Sequence, residues 1–391
     1  MRVLLISHTC QSRREGQPKA AQLGRLPGIE LRVLVPDRWL EAGRWRGAEE
    51  SQDDAFTLEV GQVRWPWSGP GQWYLHHYPH LARTLREFKP DVIDLWEEPW
   101  GLVSVQVTRL RDRLLPQTKI ISETEQNLTK MLPPPFESFR SYTLRGADYV
   151  VGRSAEAVGI LRAKGYRGPA AVVPNAVDAD LFRPLDRAAC REALGLSGFV
   201  VGYVGRLIEE KGLADLVDAL PRCPEDVSLL LLGSGPYKEA LVARVQKAGL
   251  EHRVRFLAHR PMEELPQVMN AVDTLAIPSW TTTHWKEQFG RVIIEAQACG
   301  TPVIGSSSGA IPHIVGQGGL IFLEGDPSKL ADRIKALRAD PAAARHLGEV
   351  GRRQVEAQYT WARVGQQMRD IYQEVMGQDA TLPGCETPSA A

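Results

Sequence analysis

The chain has 391 residues, 43% of them hydrophobic and 24% charged, which excludes a disordered or fibrous protein and is long enough for two domains. Lys plus Arg and Asp plus Glu each total 47, so no global field favours nucleic acid or an anionic membrane, and any basic site must be local. Five cysteines (Cys10, Cys190, Cys223, Cys299 and Cys385) lack metal-ligand spacing, and their odd number argues against a complete disulfide framework; a reducing cytosol fits.

The opening Met-Arg-Val-Leu-Leu-Ile-Ser-His has too short an apolar run for a signal peptide and reads as a strand. No window approaches the roughly 18 apolar residues of a spanning helix, so any membrane contact is expected to be peripheral. Short β-branched runs at 3–6, 31–35, 92–95, 119–122, 149–152 and 171–174 alternate with helical stretches, the pattern of a parallel sheet built from βαβ units. Residues 36–80 break this rhythm. They carry Trp39, Trp45, Trp65, Trp67 and Trp73 among Gly, Pro and Arg, and suit an irregular packed insertion as well as an acceptor surface.

Val-Pro-Asn-Ala-Val-Asp at 173–178 marks an interdomain linker, since Pro174 ends a strand and Asn175 favours a turn. The strand rhythm then restarts at 200–205, 228–233, 254–257, 274–277 and 302–306. After Leu323 the chain turns helical, with Pro327 near one helix start and an amphipathic stretch at 361–376; residues 381–391 read as a frayed tail. The fold class is therefore α/β, with two Rossmann-like doubly wound parallel-sheet domains. The expected boundaries are 1–175, to which a helix at 361–378 returns, then 176–360, then a flexible tail at 379–391.

The strongest cluster begins at Val204-Gly205-Arg206-Leu207-Ile208-Glu209-Glu210-Lys211-Gly212, between a predicted strand and a predicted helix. Glycines there let backbone approach a ligand, and two cations five residues apart can converge on a diphosphate near a helix N-terminus. A strand-to-helix turn with solvated charges would look the same. Gly233-Ser234-Gly235-Pro236 closes another strand and suits either the same crevice or ordinary turn punctuation.

In Glu287-Gln288-Phe289-Gly290-Arg291-Val292-Ile293-Ile294-Glu295-Ala296 a helix is expected from about Gly290 to Ala298. Glu287 then falls in the loop before it and Glu295 inside it, so one acid can face a sugar hydroxyl while free backbone N–H groups face phosphate. Taken alone, such a pair suits an exposed helix face equally well.

Gly205-Arg206 with Lys211-Gly212, Glu287 with Phe289-Gly290, Glu295-Ala296 and Gly300-Thr301-Pro302-Val303 occur in an order that resembles the retaining glycosyltransferases of family 4 (glycosyl transferases group 1), which have the GT-B fold. Supporting matches run from Asn175 through Pro278-Ser279 to the stretch 361–372. N-terminal resemblance is looser, resting on strand rhythm, Lys89-Pro90-Asp91-Val92 and Ala147-Asp148.

The resemblance implies two domains facing a cleft, acceptor on the N-terminal side and donor on the C-terminal side. It implies that Arg206 and Lys211 neutralise the diphosphate of a UDP- or GDP-sugar and that Glu287 lies near the transferred sugar, these three being the catalytic set. Glu295 would take the ribose hydroxyls. Gly205, Gly233, Ser234, Gly235, Phe289, Gly290, Arg291 and Val292 would line the donor, with the base near 256–262, a stretch that includes Arg260. Retention of configuration, a hydroxyl-bearing acceptor and polysaccharide, glycolipid or glycoconjugate synthesis are implied too. No cofactor or metal would be tightly bound, Mg²⁺ being allowed but not required. The site of action would be the cytoplasm, with a lipid-linked acceptor placing the chain peripherally at the inner membrane face.

Two departures stand out. The loop Ser7-His8-Thr9-Cys10-Gln11 lacks the family's glycines, and Gln126 stands in Ser122-Glu123-Thr124-Glu125-Gln126-Asn127 where relatives carry a His. His8, Glu98, Glu125, Gln126 and Asn127, with Glu97, are therefore candidates for the acceptor or sugar side. Arg13, Arg14 and Lys19 read as solvated loop charges. Asp178-Ala179-Asp180, lying in the linker, reads as a solvated turn. A GT-B-type sugar-nucleotide 2-epimerase and a noncatalytic sugar-nucleotide-binding protein are the alternatives.

Overall fold

The computed structural model describes residues 1–41, 44–64 and 71–377. Trp65, Trp67, Cys385 and the expected tail at 379–391 lie outside the described residues. The chain divides into two compact units: Met1–Val173 joined by the segment from Trp361, and Pro174–Thr360.

The first unit holds strands β1 (Arg2–Ile6), β2 (Glu30–Pro36), β3 (Arg38–Glu41), β4 (Arg44–Gly47), β5 (Thr57–Gly61), β6 (Val92–Leu95), β7 (Lys119–Thr124), β8 (Tyr149–Gly152) and β9 (Ala170–Val172). Seven of them form one parallel sheet in the order β5-β2-β1-β6-β7-β8-β9, while β3 and β4 pair as an antiparallel hairpin. The central strands are buried on both faces, which is why they read as unbroken apolar runs. The returning helix Trp361–Val375 packs on the helix Gln17–Gly24, and Tyr372 donates a hydrogen bond to Asp94 Oδ2 at 2.7 Å.

The second unit holds β10 (Phe199–Val204), β11 (Val227–Leu232), β12 (Val254–Leu257), β13 (Thr274–Ile277), β14 (Val303–Ser306) and β15 (Gly319–Phe322), all parallel, in the order β12-β11-β10-β13-β14-β15. Alternate residues of one strand enter different cores. Val200, Val204, Leu230 and Leu232 pack with Ile293 and Ile294 on one face, whereas Val201, Tyr203, Leu229 and Leu231 pack with Leu213, Leu241 and Leu330 on the other. Both faces are thus covered, as a doubly wound sheet requires.

Three expectations are corrected. Residues 36–80 are not simply irregular, since they supply the hairpin and β5, whose Leu58 pairs with Val33 of β2. Both β5 and β15 are edge strands with few fully buried residues, so neither shows a continuous apolar run; β15 lies just before the stretch read as turning helical. Lys19 is the third. It sits in a helix rather than a solvated loop, and is 1% exposed. Beyond β15, Asp326 and Asp340 cap the Pro327–Ala339 and Pro341–Gln358 helices, each with Pro in its first turn.

Candidate active site

In the second unit, β10 and β13 are neighbours from which the chain winds outward in opposite directions. In open α/β sheets, ligands bind beyond the C-terminal strand ends at such a reversal. The loops that emerge there carry Gly205 to Lys211 after β10 and Ser279 to Gly290 after β13. The turn after β11 lies against the first of them, backbone on backbone. A Cβ on Gly233 would fall 1.9 Å from the Gly205 carbonyl oxygen, and one on Gly235 2.2 Å from that of Leu207, so both positions exclude a side chain. The Leu207 amide donates to Ser234 O at 2.8 Å, leaving the Ser234 side chain exposed.

Lys211 ends a single 3-10 turn, Glu209–Lys211, and Gly212 follows at φ 66° with its α-carbon against the carbonyl of Pro278. That close approach brings the end of the first loop onto the start of the second. Lys211 Nζ meets Glu287 Oε2 at 2.5 Å, and the buried Ser279 hydroxyl donates to the same oxygen at 3.1 Å. The ammonium also lies 5.1 Å from the centre of the Trp285 ring. The Glu287 carbonyl accepts from Ala310 at 3.1 Å, which anchors the backbone beneath the carboxylate.

Arg206 is exposed, and its guanidinium makes no hydrogen bond or ion pair among the described residues. Its carbonyl accepts the Tyr203 hydroxyl at 2.7 Å. Burial raises the pKa of that phenol, Glu287 raises it further and Arg206 opposes, so both charges lie around one hydroxyl. Arg206, Lys211 and Glu287 therefore gather at one strand-end crevice: an open cation, and a cation already held by a carboxylate.

Gly290 precedes the helix Arg291–Ala298, whose N-terminus has no side-chain cap. The first N–H groups of a helix have no intrahelical acceptor and suit an anion; here the Ile293 amide turns back to Gly290 O at 2.8 Å. Phe289 is buried against Tyr359, with ring centres 5.9 Å apart, so its visible role is to anchor this start. Glu295 is half-buried in the second turn. Arg260 stands apart, paired with Glu264 at 3.3 Å after β12, without contact to Arg206, Lys211 or Glu287. Asp178 accepts the amides of Asp180 and Leu181, both at 3.0 Å, in an exposed turn.

In the first unit the corresponding reversal falls between β1 and β6. His8 follows β1 and Glu97 follows β6. Glu97 accepts the His8 amide at 2.6 Å and His8 Nδ1 at 2.8 Å to each oxygen. Burial works against a charged His8, yet the Glu97 carboxylate prevails and its pKa is raised. Glu98 accepts from the Thr124 hydroxyl (2.7 Å) and the Glu125 amide (2.8 Å). Burial nevertheless pushes its pKa up to about 8, with Glu125 and Glu97 adding repulsion. Glu125 faces Trp96 Nε1 at 3.4 Å and Arg153 at 3.5 Å. Gln126 folds back on Leu128 O at 2.9 Å, and Asn127 is buried.

Sequence reasoning named Trp39 and Trp73 only as part of an insertion that suits packing or an acceptor surface, and it missed His76 and Arg153 around these acids. Trp39 stacks on His8 at 4.6 Å and Trp73 meets it edge-on at 4.6 Å, while His76 lies behind Trp39. Lys19 pairs with Glu123 and, at 3.4 Å, with Asp94; Arg153 also pairs with Glu123, and both cations lie over the Trp96 ring. Burial and Glu123 raise Asp94 to about 8, whereas Arg153 and Lys19 overcome the burial of Glu123 and hold its pKa low. Only a charge inside an apolar helix pattern hinted at Lys19, because its partners are 75 and 104 residues away.

Two doubly wound parallel-sheet units, one carrying a cation and carboxylate cluster at its strand reversal, define a two-domain α/β protein of the GT-B type. Residues 20–181 match the model of Glycosyltransferase Family 4, and residues 189–354 that of Glycosyl transferases group 1. A GDP-mannose-dependent monoacylated alpha-(1-6)-phosphatidylinositol monomannoside mannosyltransferase of Corynebacterium glutamicum is 32% identical over 376 residues, 89% of this chain and 95% of that protein. A D-inositol 3-phosphate glycosyltransferase of Corynebacterium jeikeium is 35% identical over 223 residues, 52% of this chain and about half (51%) of that protein. Among solved structures, a sucrose-phosphate synthase from Thermosynechococcus elongatus superposes with a TM-score of 0.74 at 24% identity, covering 96% of this chain and 99% of that one, a likeness of fold. The chain belongs to the family 4, group 1 glycosyltransferases. Among the described residues no helix is long and apolar enough to cross a membrane, and no group of three or more His, Cys, Asp or Glu is placed to hold a metal.

Proposed function

We propose that the chain transfers a sugar, with retention of configuration, from a nucleotide diphosphate sugar to a hydroxyl of a glycolipid acceptor. GDP-mannose is the donor to try first, since the relative similar along most of its length is named for it. The observation that carries the reading is the Lys211–Glu287 pair beside the open guanidinium of Arg206 at the strand reversal. Charge grows on a departing diphosphate as the glycosidic bond breaks, and fixed cations with uncapped helix amides lower that barrier without reorganising. Arg206 and the amides after Gly290 meet the diphosphate, Glu287 lies toward the sugar, and Glu295 takes the ribose hydroxyls. The reaction needs no tightly held metal, and it takes place in the cytoplasm, at the membrane face where the acceptor is lipid-linked.

Incubation with GDP-mannose, UDP-glucose and ADP-glucose, with phosphatidylinositol as acceptor, tests this. The expected result is acceptor-dependent nucleotide release that persists in EDTA and an axial product linkage by NMR. A donor sugar altered without acceptor would mean an epimerase. Binding without turnover of any donor would mean a sensor, and an inverted product would refute retention.

A further inference from the structure

The loop between Pro278 and Glu287 is fastened more firmly than its exposure requires. At its start the Trp280 amide donates to Glu210 O at 2.8 Å, and Trp280 Nε1 donates at 2.7 Å to Oδ2 of Asp215, which is 5% exposed. The Thr281 amide donates to the Glu324 carboxylate, and the Thr281 hydroxyl meets that of the buried Ser308 at 2.9 Å. Farther on, the loop closes on itself. The Thr282 amide donates to Trp285 O at 2.7 Å, while the Thr282 hydroxyl accepts the amides of Trp285 at 3.0 Å and His284 at 3.3 Å. Residues 281–284 are exposed, and the chain turns inward at Trp285, whose ring centre lies 5.1 Å from Lys211 Nζ.

That ring does not fill a core. Among the described residues, Trp285 packs in neither of the two cores that flank the sheet of this unit. Its neighbour is the ion pair, whose side chains are 17% exposed at Lys211 and 10% at Glu287. The ammonium thus has a carboxylate on one side and an apolar ring on another, and each contact gains strength as water is kept away. On the transferase reading, water at this place is a hazard. A diphosphate that draws on the ammonium leaves Glu287 with accepting capacity near the transferred sugar, and a water held by that carboxylate is placed to attack. Its oxygen would bond to the anomeric carbon as the bond to the diphosphate breaks. One water proton would pass to the carboxylate or the departing phosphate, giving free sugar and nucleoside diphosphate.

We infer that Trp285 is the water shield of this site, and that by covering the Lys211–Glu287 pair it sets how donor divides between transfer and hydrolysis. Trp285 acts through the pair and is a positioning residue, and Thr282 holds its ring in place. The inference rests on the transferase reading and adds what keeps that reaction from wasting its donor.

Two measurements on the full chain test it. Acylation of Lys211 by acetic anhydride, followed by peptide mass spectrometry, reads the cover without any donor. With GDP-mannose, UDP-glucose or ADP-glucose and phosphatidylinositol, the ratio of free to lipid-linked sugar reads the partition. Trp285→Ala raises both the labelling rate and the ratio about tenfold, since contact with a partly desolvated ammonium keeps the ring closed about ten times as often as open. Trp285→Phe recovers part of the loss, because its ring attracts a cation less strongly than that of Trp. Thr282→Val falls between wild type and Trp285→Ala, and Thr282→Ser restores the wild-type values. Either quantity unchanged in well-folded Trp285→Ala overturns the inference. If the wild type consumes no donor while Trp285→Ala still exposes Lys211, the transferase reading falls, and the partition with it, while the cover stands.

Discussion

Breaking the Lys211–Glu287 pair separates its part in stability from its proposed part in turnover. Lys211→Met leaves a carboxylate that is 8% exposed with the Ser279 hydroxyl but without its cation. Removing one partner of a buried pair costs about 3–5 kcal/mol; Ser279 and residual solvent lower this to roughly 2–3 kcal/mol. For a unit of this size that corresponds to a fall in Tm of roughly 5–10 °C. Glu287→Gln keeps a hydrogen-bonding group and leaves the ammonium against Trp285, so its cost is about 1 kcal/mol. The double variant removes both charges and is expected to be more stable than the two single losses added together, by about 1–2 kcal/mol. Turnover behaves differently, because losing a cation aimed at the leaving group costs roughly 10²–10³ in kcat, and the second substitution does not recover it. Calorimetry and a nucleotide-release assay on the four proteins read the two quantities. Strict additivity in stability would refute the coupling, and wild-type turnover in Lys211→Met would refute the diphosphate role.

Tyr372→Phe removes a hydrogen bond between two fully buried groups, and about 1–3 kcal/mol of stability should go with it in urea unfolding, with faster amide exchange along Trp361–Val375. Glu98 has a folded-state pKa of about 8, above its unfolded value of about 4.5, so its contribution is fully present below pH 4.5 and is lost as pH rises toward 8. Glu98→Gln titrates nothing there, so the variant's stability relative to wild type should rise between pH 5 and 8.5; a constant difference would show that the carboxyl is not protonated in the fold.

How much could be read in advance differs between the units for a physical reason. Central strands such as Ser-Leu-Leu-Leu-Leu are buried on both faces and leave continuous apolar runs, whereas β5 and β15 sit at sheet edges and leave none. Arg206 and Lys211 lie within six residues on one loop, and Glu287 and Glu295 within nine around one helix start, so spacing carries their geometry. The His8 group comes from four separate places in the chain, residue 8, residue 39, the neighbours 73 and 76, and residue 97, and no local spacing ties these places together. Lys19 was misplaced because its charge suggested water, while its compensation by Glu123 and Asp94 appears only in three dimensions.

The same contrast bears on what each half recognises. A diphosphate is met by cations and backbone amides, and amides near a helix start need a glycine-rich approach, which stamps a contiguous pattern on the chain. A ring of hydroxyls is met by side chains alone, and these can come from any element that reaches the strand ends. Both units offer the same platform, the C-terminal ends of two central strands where the winding reverses. On the proposed reading, donor chemistry is therefore conspicuous in the sequence and acceptor choice is quiet. Lys211 adds a link within the donor half. On the proposed reading, an arriving diphosphate would compete with Glu287 for the ammonium, and whatever share it took would let the carboxylate turn part of its accepting capacity to hydroxyls of the sugar that the diphosphate carries.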